Sequence, residues 1–179
     1  MSQWESERMV YRPLTQEDWP FFLALHQDAG VMQFIHDPHP PEYIDHHYFQ
    51  PRLAEWHKTS RHWLCKVMCL KSDGTPVGLT GLINRGENLA EVGFLLAGDA
   101  QGRGLGSESL NALVNHAFTL LGYRKLTAAV TAGNEVSRKT LCRVGFRQEG
   151  TLRESYFLHQ RWHDDWIFGL LAKEFTATE

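Results

Sequence analysis

Gln101-Gly102-Arg103-Gly104-Leu105-Gly106 is the stretch on which the reading of this chain turns. It lies between a strand-like segment, Leu89 to Ala97, and a strongly amphipathic one, Leu105 to Leu121, so it opens a helix. Glycine lets a backbone turn tightly and approach a ligand with no Cβ in the way. The unpaired N–H groups of the helix's first turn, at the positive end of its dipole, then suit a phosphate or pyrophosphate. Each such amide bonded to a charged oxygen contributes roughly 1.5–3 kcal/mol. Taken alone, three glycines here read as a plain turn. Two phosphate loops of other kinds do not fit. The dinucleotide pattern G-x-G-x-x-G, counted from Gly102, ends on Ser107, and the triphosphate loop needs a lysine that Gly106-Ser107 lacks. The spacing present is Q/R-x-x-G-x-G/A.

Outward from the loop, the periodicity assigns most of the chain. In Leu89 to Ala97, Ala90, Val92, Phe94 and Leu96 point one way and Glu91, Gly93 and Leu95 the other. The helix after the loop carries a core stripe of Leu110, Leu113, Val114, Ala117 and Leu121. Lys125 to Thr131 reads as a buried strand, Asn134 as the cap of a helix, and Gly145 as its left-handed stop. Thr151 to Leu158 and Trp166 to Leu171 form a final hairpin. Upstream, Met9 to Arg12 is a strand stopped by Pro13, and Thr15 caps a helix from Gln16 to about Asp28. Residues His36 to Pro41 are a Pro-broken loop, and a second helix is expected from Glu42 to Lys58. His62 to Leu70 and Val77 to Asn84 pair about a turn at Ser72-Asp73-Gly74-Thr75, and Gly86-Glu87-Asn88 turns into the strand before the loop. This order is a mixed α/β layer architecture.

Length and composition bound the function. The 179 residues suit one domain, with 42% hydrophobic and 22% charged residues as in ordinary globular chains. A net charge of -3 gives no reason to expect nucleic acid or an acidic membrane as partner. The first residues show no secretory pattern, and no 18 apolar residues run together. Cys65 and Cys69, on one strand, would sit ~13 Å apart, too far to bridge. With Cys142 they read as reduced thiols of a cytoplasmic protein.

The loop pattern resembles the pyrophosphate loop of the GNAT superfamily of acetyl-CoA-dependent N-acetyltransferases. Ala90-Glu91-Val92-Gly93-Phe94 resembles that family's fourth strand, and Ser107-Glu108-Ser109 with Ala117-Phe118 the helix after the loop. Asn134 to Arg138, Leu141, Val144-Gly145-Phe146 and Glu149 to Arg153 resemble the next helix and strand, in the manner of the RimJ/RimL-type ribosomal-protein N-terminal acetyltransferases. The likeness covers about 8–175 of a single domain spanning 1–179. It implies a mostly antiparallel mixed sheet with splayed central strands, flanked by helices, and acetyl-CoA lying in the splay.

By that resemblance Gln101, Gly102, Arg103, Gly104, Gly106 and Ser107 would hold the pyrophosphate. Asn134 would contact the cofactor near its thioester, a role compatible with capping, and Arg138 would reach a phosphate or stand as a solvated basic residue. Transfer to an amine needs a base for the ammonium proton and an acid for the departing thiolate. Glu91, through water, is the candidate base, with a solvent-facing strand carboxylate as the alternative. Ser137 is the candidate acid. Many family members carry a tyrosine seven residues after the asparagine, where this chain has Leu141. The branch's later strand glutamate falls here on Tyr156 or Phe157, with Glu154 the nearest carboxylate, a departure from the ribosomal-acceptor pattern. His36-Asp37, His39 and Asp45-His46-His47 match no zinc spacing, and no metal is expected. Trp19, Phe22, Tyr43, Tyr48 and Trp56 read mostly as core. The partners expected are acetyl-CoA and an amine acceptor, a small molecule or a protein N-terminus, with the chain a monomer or homodimer. Another acyl-CoA, such as succinyl-CoA, or a non-catalytic acetyl-CoA sensor are the competing readings.

Overall fold

Seven strands form one sheet in the order β1-β2-β3-β4-β5-β7-β6 in the computed structural model, which describes residues 4–176. The strands are β1 (Met9–Pro13), β2 (Leu64–Leu70), β3 (Pro76–Asn84), β4 (Leu89–Leu96), β5 (Lys125–Thr131), β6 (Arg147–Leu158) and β7 (Arg161–Leu171). Every neighbouring pair is antiparallel except β4–β5, as a helical crossover between consecutive strands demands. That parallel pairing is short: Leu89↔Lys125, Ala90↔Leu126, Glu91↔Thr127. Beyond Glu91 and Thr127 both strands continue without pairing to each other, so the sheet opens into the expected splay.

Alternation along the strands sorts side chains onto two faces. Ala90 and Val92 of β4, Leu126, Ala128 and Val130 of β5, and Phe168 and Leu170 of β7 share one core. The same core takes in Leu110, Leu113, Val114 and Ala117 of α5 (Leu105–Thr119) and Leu141 of α6 (Glu135–Val144). Leu110 and Leu113 are fully buried, and truncating either to alanine would cost about 2–5 kcal/mol. On the other face Val67, Cys69 and Leu79 meet Phe22 and Leu25 of α1 (Trp19–Gln27), with Ile44 and Phe49 beyond. β2 and β3 approach so closely at Gly81 that a Cβ there would lie 1.7 Å from the Leu64 carbonyl oxygen.

The helices around the loop follow the sequence closely, while the segment before β2 does not. Thr15 starts a 3₁₀ turn (Gln16–Asp18) that leads into α1, its backbone N–H donating to Asp18 at 2.8 Å. A short α2 (Ala29–Met32) follows, with Asp28 as its side-chain cap. The single helix expected over Glu42 to Lys58 is instead α3 (Pro41–Ile44), a π-helical turn (Asp45–Phe49) and α4 (Gln50–Leu53). Pro51 explains the break, because proline lacks an N–H and crowds the carbonyl of the preceding turn. The Gln50 N–H reaches back to Asp45 O, widening the helix just before it. The final hairpin is longer than expected, its strands starting at Arg147 and Arg161. The three cysteines are free thiols. Among the described residues no helix is long and apolar enough to cross a membrane.

Candidate active site

Two left-handed glycines, Gly102 at φ +75° and Gly104 at φ +77°, bring the chain from β4 into α5. Gly104 is the residue preceding the helix, and the first α5 amide bonded back is that of Glu108, to Gly104 O at 3.2 Å. The amides of Leu105, Gly106 and Ser107 therefore have no acceptor within the helix. A Cβ on Gly102 would meet nothing within 4 Å, leaving the outside of the turn open. Arg8 braces the loop from beneath: its Nη1 donates to Arg103 O at 2.9 Å and its Nε to Glu108 at 2.7 Å. Gln101 Nε2 donates to Leu96 O at 3.1 Å, tying the loop's entrance to the end of β4.

Where β4 and β5 part, a cavity of about 410 Å³ opens. Its walls include Glu91 to Leu95, Ala128 to Thr131, Asn134 and Ser137, together with Trp63, Arg52, Tyr48 and Tyr156. Asn134 Oδ1 accepts the Ser137 N–H at 3.2 Å, so it caps α6 while facing the cavity. Glu91 also lines the cavity, but its Oε2 accepts from Arg85 Nε and Nη2 at 2.9 and 2.7 Å. Leu141 is fully buried in the core. Tyr156, one of the two places where the resemblance puts a glutamate, donates its hydroxyl to Ile35 O and lines the cavity.

Some residues found here were not singled out from sequence. Asp165, beside Asn134 in the cavity wall, pairs with Thr131 across β5–β7. Burial, with Asp164 beside it, holds its carboxyl above the ordinary range, and a hydrogen bond from Ser155 works the other way. The signal was present, since Asp165 falls on the β7 face opposite Phe168 and Leu170, but seeing it required the β5–β7 register. Arg138 pairs with Glu135 at 2.7 Å, whereas Arg143, farther along α6, has Nη1 3.5 Å from Ser107 Oγ at the loop. The histidines of the 36–47 segment form a chain of ring contacts, including His36 on Tyr48 and His39 on Tyr43. Among the described residues no three His, Cys, Asp or Glu gather as metal ligands would.

The family model for the acetyltransferase (GNAT) domain matches residues 8–147. The chain belongs to the GNAT acetyltransferase family. Among curated GNAT relatives, a Bacillus subtilis protein provisionally named a ribosomal N-acetyltransferase is 30% identical over 104 residues. That match takes in 57% of this chain and 57% of the relative's length. Among solved structures, ribosomal-protein-S5-alanine acetyltransferase from Vibrio fischeri superposes with a TM-score of 0.81 at 19% identity, covering 98% of this chain and 100% of that one. Spermidine N-acetyltransferase from Vibrio cholerae, solved with CoA and spermine, gives a TM-score of 0.76 at 20% identity, covering 93% and 97%. At such identities the structures establish the GNAT fold, seven strands with the β4–β5 splay, and leave the acceptor to this chain's own residues.

Proposed function

We propose that this chain is an acetyl-CoA-dependent N-acetyltransferase that passes acetyl directly to a primary amine. The observation that carries the reading is the splay itself: two parallel strands that stop pairing at Glu91 and Thr127, with a cavity between them and a glycine loop at the end of β4. The free first-turn amides and the open outer side of Gly102 fit a pyrophosphate. Gln101 to Ser107 would hold that group, with Arg143 near enough to add charge. Asn134 would hold the arm that leads to the thioester. Acetyl-CoA, when bound, supplies an activated carbonyl.

The protein's own work is to orient the amine, take its proton and return one to sulfur. Asp165 is assigned the first proton transfer, because its raised carboxyl lies nearer neutral pH, where a general base is most effective. Glu91 is committed to Arg85 and is assigned to shaping the cavity wall. Ser137 Oγ would protonate the departing thiolate. An α-amine is the favoured acceptor, since its reference pKa of about 7.7–8.0, against about 10.4 for lysine, demands less of the base. The test is calorimetric titration with acetyl-CoA followed by an acceptor screen that reads coenzyme A thiol release. Binding without release for any amine would leave a sensor, and no binding would end the proposal.

A further inference from the structure

Arg52, on α4, is not used by the acetyl-transfer chemistry, yet it stands half-buried in the cavity wall. One of its donors, Nη1, bonds to Tyr48 O at 2.9 Å. Its guanidinium carbon lies 5.8 Å from the Trp63 ring centroid and 6.0 Å from that of Tyr48. Among the described residues no carboxylate forms an ion pair with it: Glu91 is held by Arg85 and Asp18 by Arg12. Its other neighbours do not balance the charge. Burial pushes the Cys65 thiol up to about 11 and the His26 ring down to about 4, so both are neutral near pH 7. The same burial lowers the pKa of Arg52 itself, outweighing the opposing influence of Cys65 and Tyr48, the mark of a cation stripped of part of its water.

A desolvated charge with no anionic partner is costly, and a guanidinium with unused donors has a fixed fork that matches a carboxylate in two parallel hydrogen bonds. Beside it the Trp63 ring lies against β4 at Gly93, where a Cβ would come 3.0 Å from the ring. We infer that the acceptor amine also carries a carboxylate, as an amino acid does, and that Arg52 holds this carboxylate while the amine reaches the β4–β5 splay. The inference rests on the acetyl-transfer reading above and narrows its acceptor. Trp63 and Tyr48 would flank the acceptor's apolar part. A polyamine would instead bring a second positive charge towards Arg52.

The test uses the full chain with acetyl-CoA and matched acceptors: α-amino acids, their carboxamides and spermidine. Amino acids should be preferred over carboxamides by roughly 10–100-fold in kcat/KM, mostly through KM, the range for a hydrogen bond to a charged group. Arg52→Gln should bring that ratio towards one, and Arg52→Lys should retain part of it. Independently of turnover, N-acetyl amino acids should bind wild type in the presence of coenzyme A and bind Arg52→Gln at least roughly tenfold more weakly. Acetyl-CoA affinity serves as the check that each variant is folded. The inference is overturned if carboxamides or spermidine react as well as the acids, if Arg52→Gln leaves the ratio unchanged, or if N-acetyl amino acids do not bind. Carboxylate binding through Arg52 with no turnover of any amine would instead sink the acetyl-transfer reading and leave the anion site standing.

Discussion

Asp165 and Glu91 lie on the same side of the sheet, and their surroundings differ in a way that kinetics can read. Glu91 is paired at 2.7 Å with Arg85, while burial raises the carboxyl of Asp165. Asp165→Asn preserves shape, so it should keep acetyl-CoA binding but lower kcat by roughly 10²–10⁴-fold, the span for one acid–base group. Because the Asp165 carboxyl is raised, the acid limb of the wild-type pH–rate profile should lie above the ordinary aspartate range. Asp165→Asn should lack that limb and Glu91→Gln should keep it; the reverse pattern returns the role to Glu91. Gly104 makes a separate prediction. Its φ of +77° is strained for any β-branched residue, and a Cβ there already lies 3.4 Å from Arg8 Nη2. Gly104→Val should weaken acetyl-CoA roughly 10–100-fold, the value of one amide-to-phosphate bond. Unchanged affinity in a folded variant removes the loop from the binding site.

At the level of elements, legibility followed punctuation. β5 runs over Lys125–Thr131 as read, and α6 lies between its Asn134 cap and the left-handed Gly145 at φ +117°, since each boundary has its own backbone chemistry. The segment before β2 carries one such mark, Pro51, inside the helix expected over Glu42 to Lys58. The π turn over Asp45–Phe49 lies just before it and the extended backbone at Ala54 ends the helix. That segment carries Arg52, so the proposed acceptor contact was also the hardest to read. It also packs on a ring stack with a pH signature. His26 stacks on Phe22 at 4.1 Å, donates Nδ1–H to Phe22 O, and is held by burial at a pKa of about 4 against an ordinary 6.5. A depressed pKa means stability that is complete above 6.5 and lost as pH falls towards 4. Burial lowers His36 too, adding in the same direction. Asp18, held low by Arg12, loses its contribution only below the ordinary carboxylate range, while within the window the buried His116 adds to the fall and the raised Asp165 carboxyl opposes it. His26 alone amounts to on the order of 3 kcal/mol across it, or roughly 6–12 °C in Tm for a chain of this size. Scanning calorimetry from pH 7 to 4.5 should show that fall, and His26→Phe should flatten it. An equal fall in the variant would exclude His26 as its origin.

Across the whole molecule, the overall order of strands and helices was legible because two helices and their glycines frame the β4–β5 crossover. The splay at that crossover came from the family resemblance and not from periodicity, because it depends on how soon two strands stop pairing. Strands β1 to β4 and strands β5, β7 and β6 are joined within the sheet by three residue pairs alone, Leu89↔Lys125, Ala90↔Leu126 and Glu91↔Thr127. The remaining connection passes through α5, α6 and the core they share with both halves, with hydrogen bonds such as Tyr156 to Ile35 O and Arg124 Nε to Glu87 O beside it. A ligand that fills the splay and touches both strands would therefore act as a further tie between the halves. It binds the folded chain and not the unfolded one, so at 100 times its Kd it adds about 2.7 kcal/mol. For a domain of this length that corresponds to roughly 5–11 °C in Tm. Acetyl-CoA and coenzyme A should both produce such a shift, since the loop and the splay bind the part they share. Hydrogen exchange should slow at the unpaired ends of β4 and β5, beyond Glu91 and Thr127, more than in β1 or β6. Gly104→Val, measured at the same ligand concentration, should show neither effect at full size. A thermal shift without slower exchange in β4 and β5 would mean that the ligand binds the loop and leaves the splay empty. The two halves would then gain no further tie across the splay from the ligand.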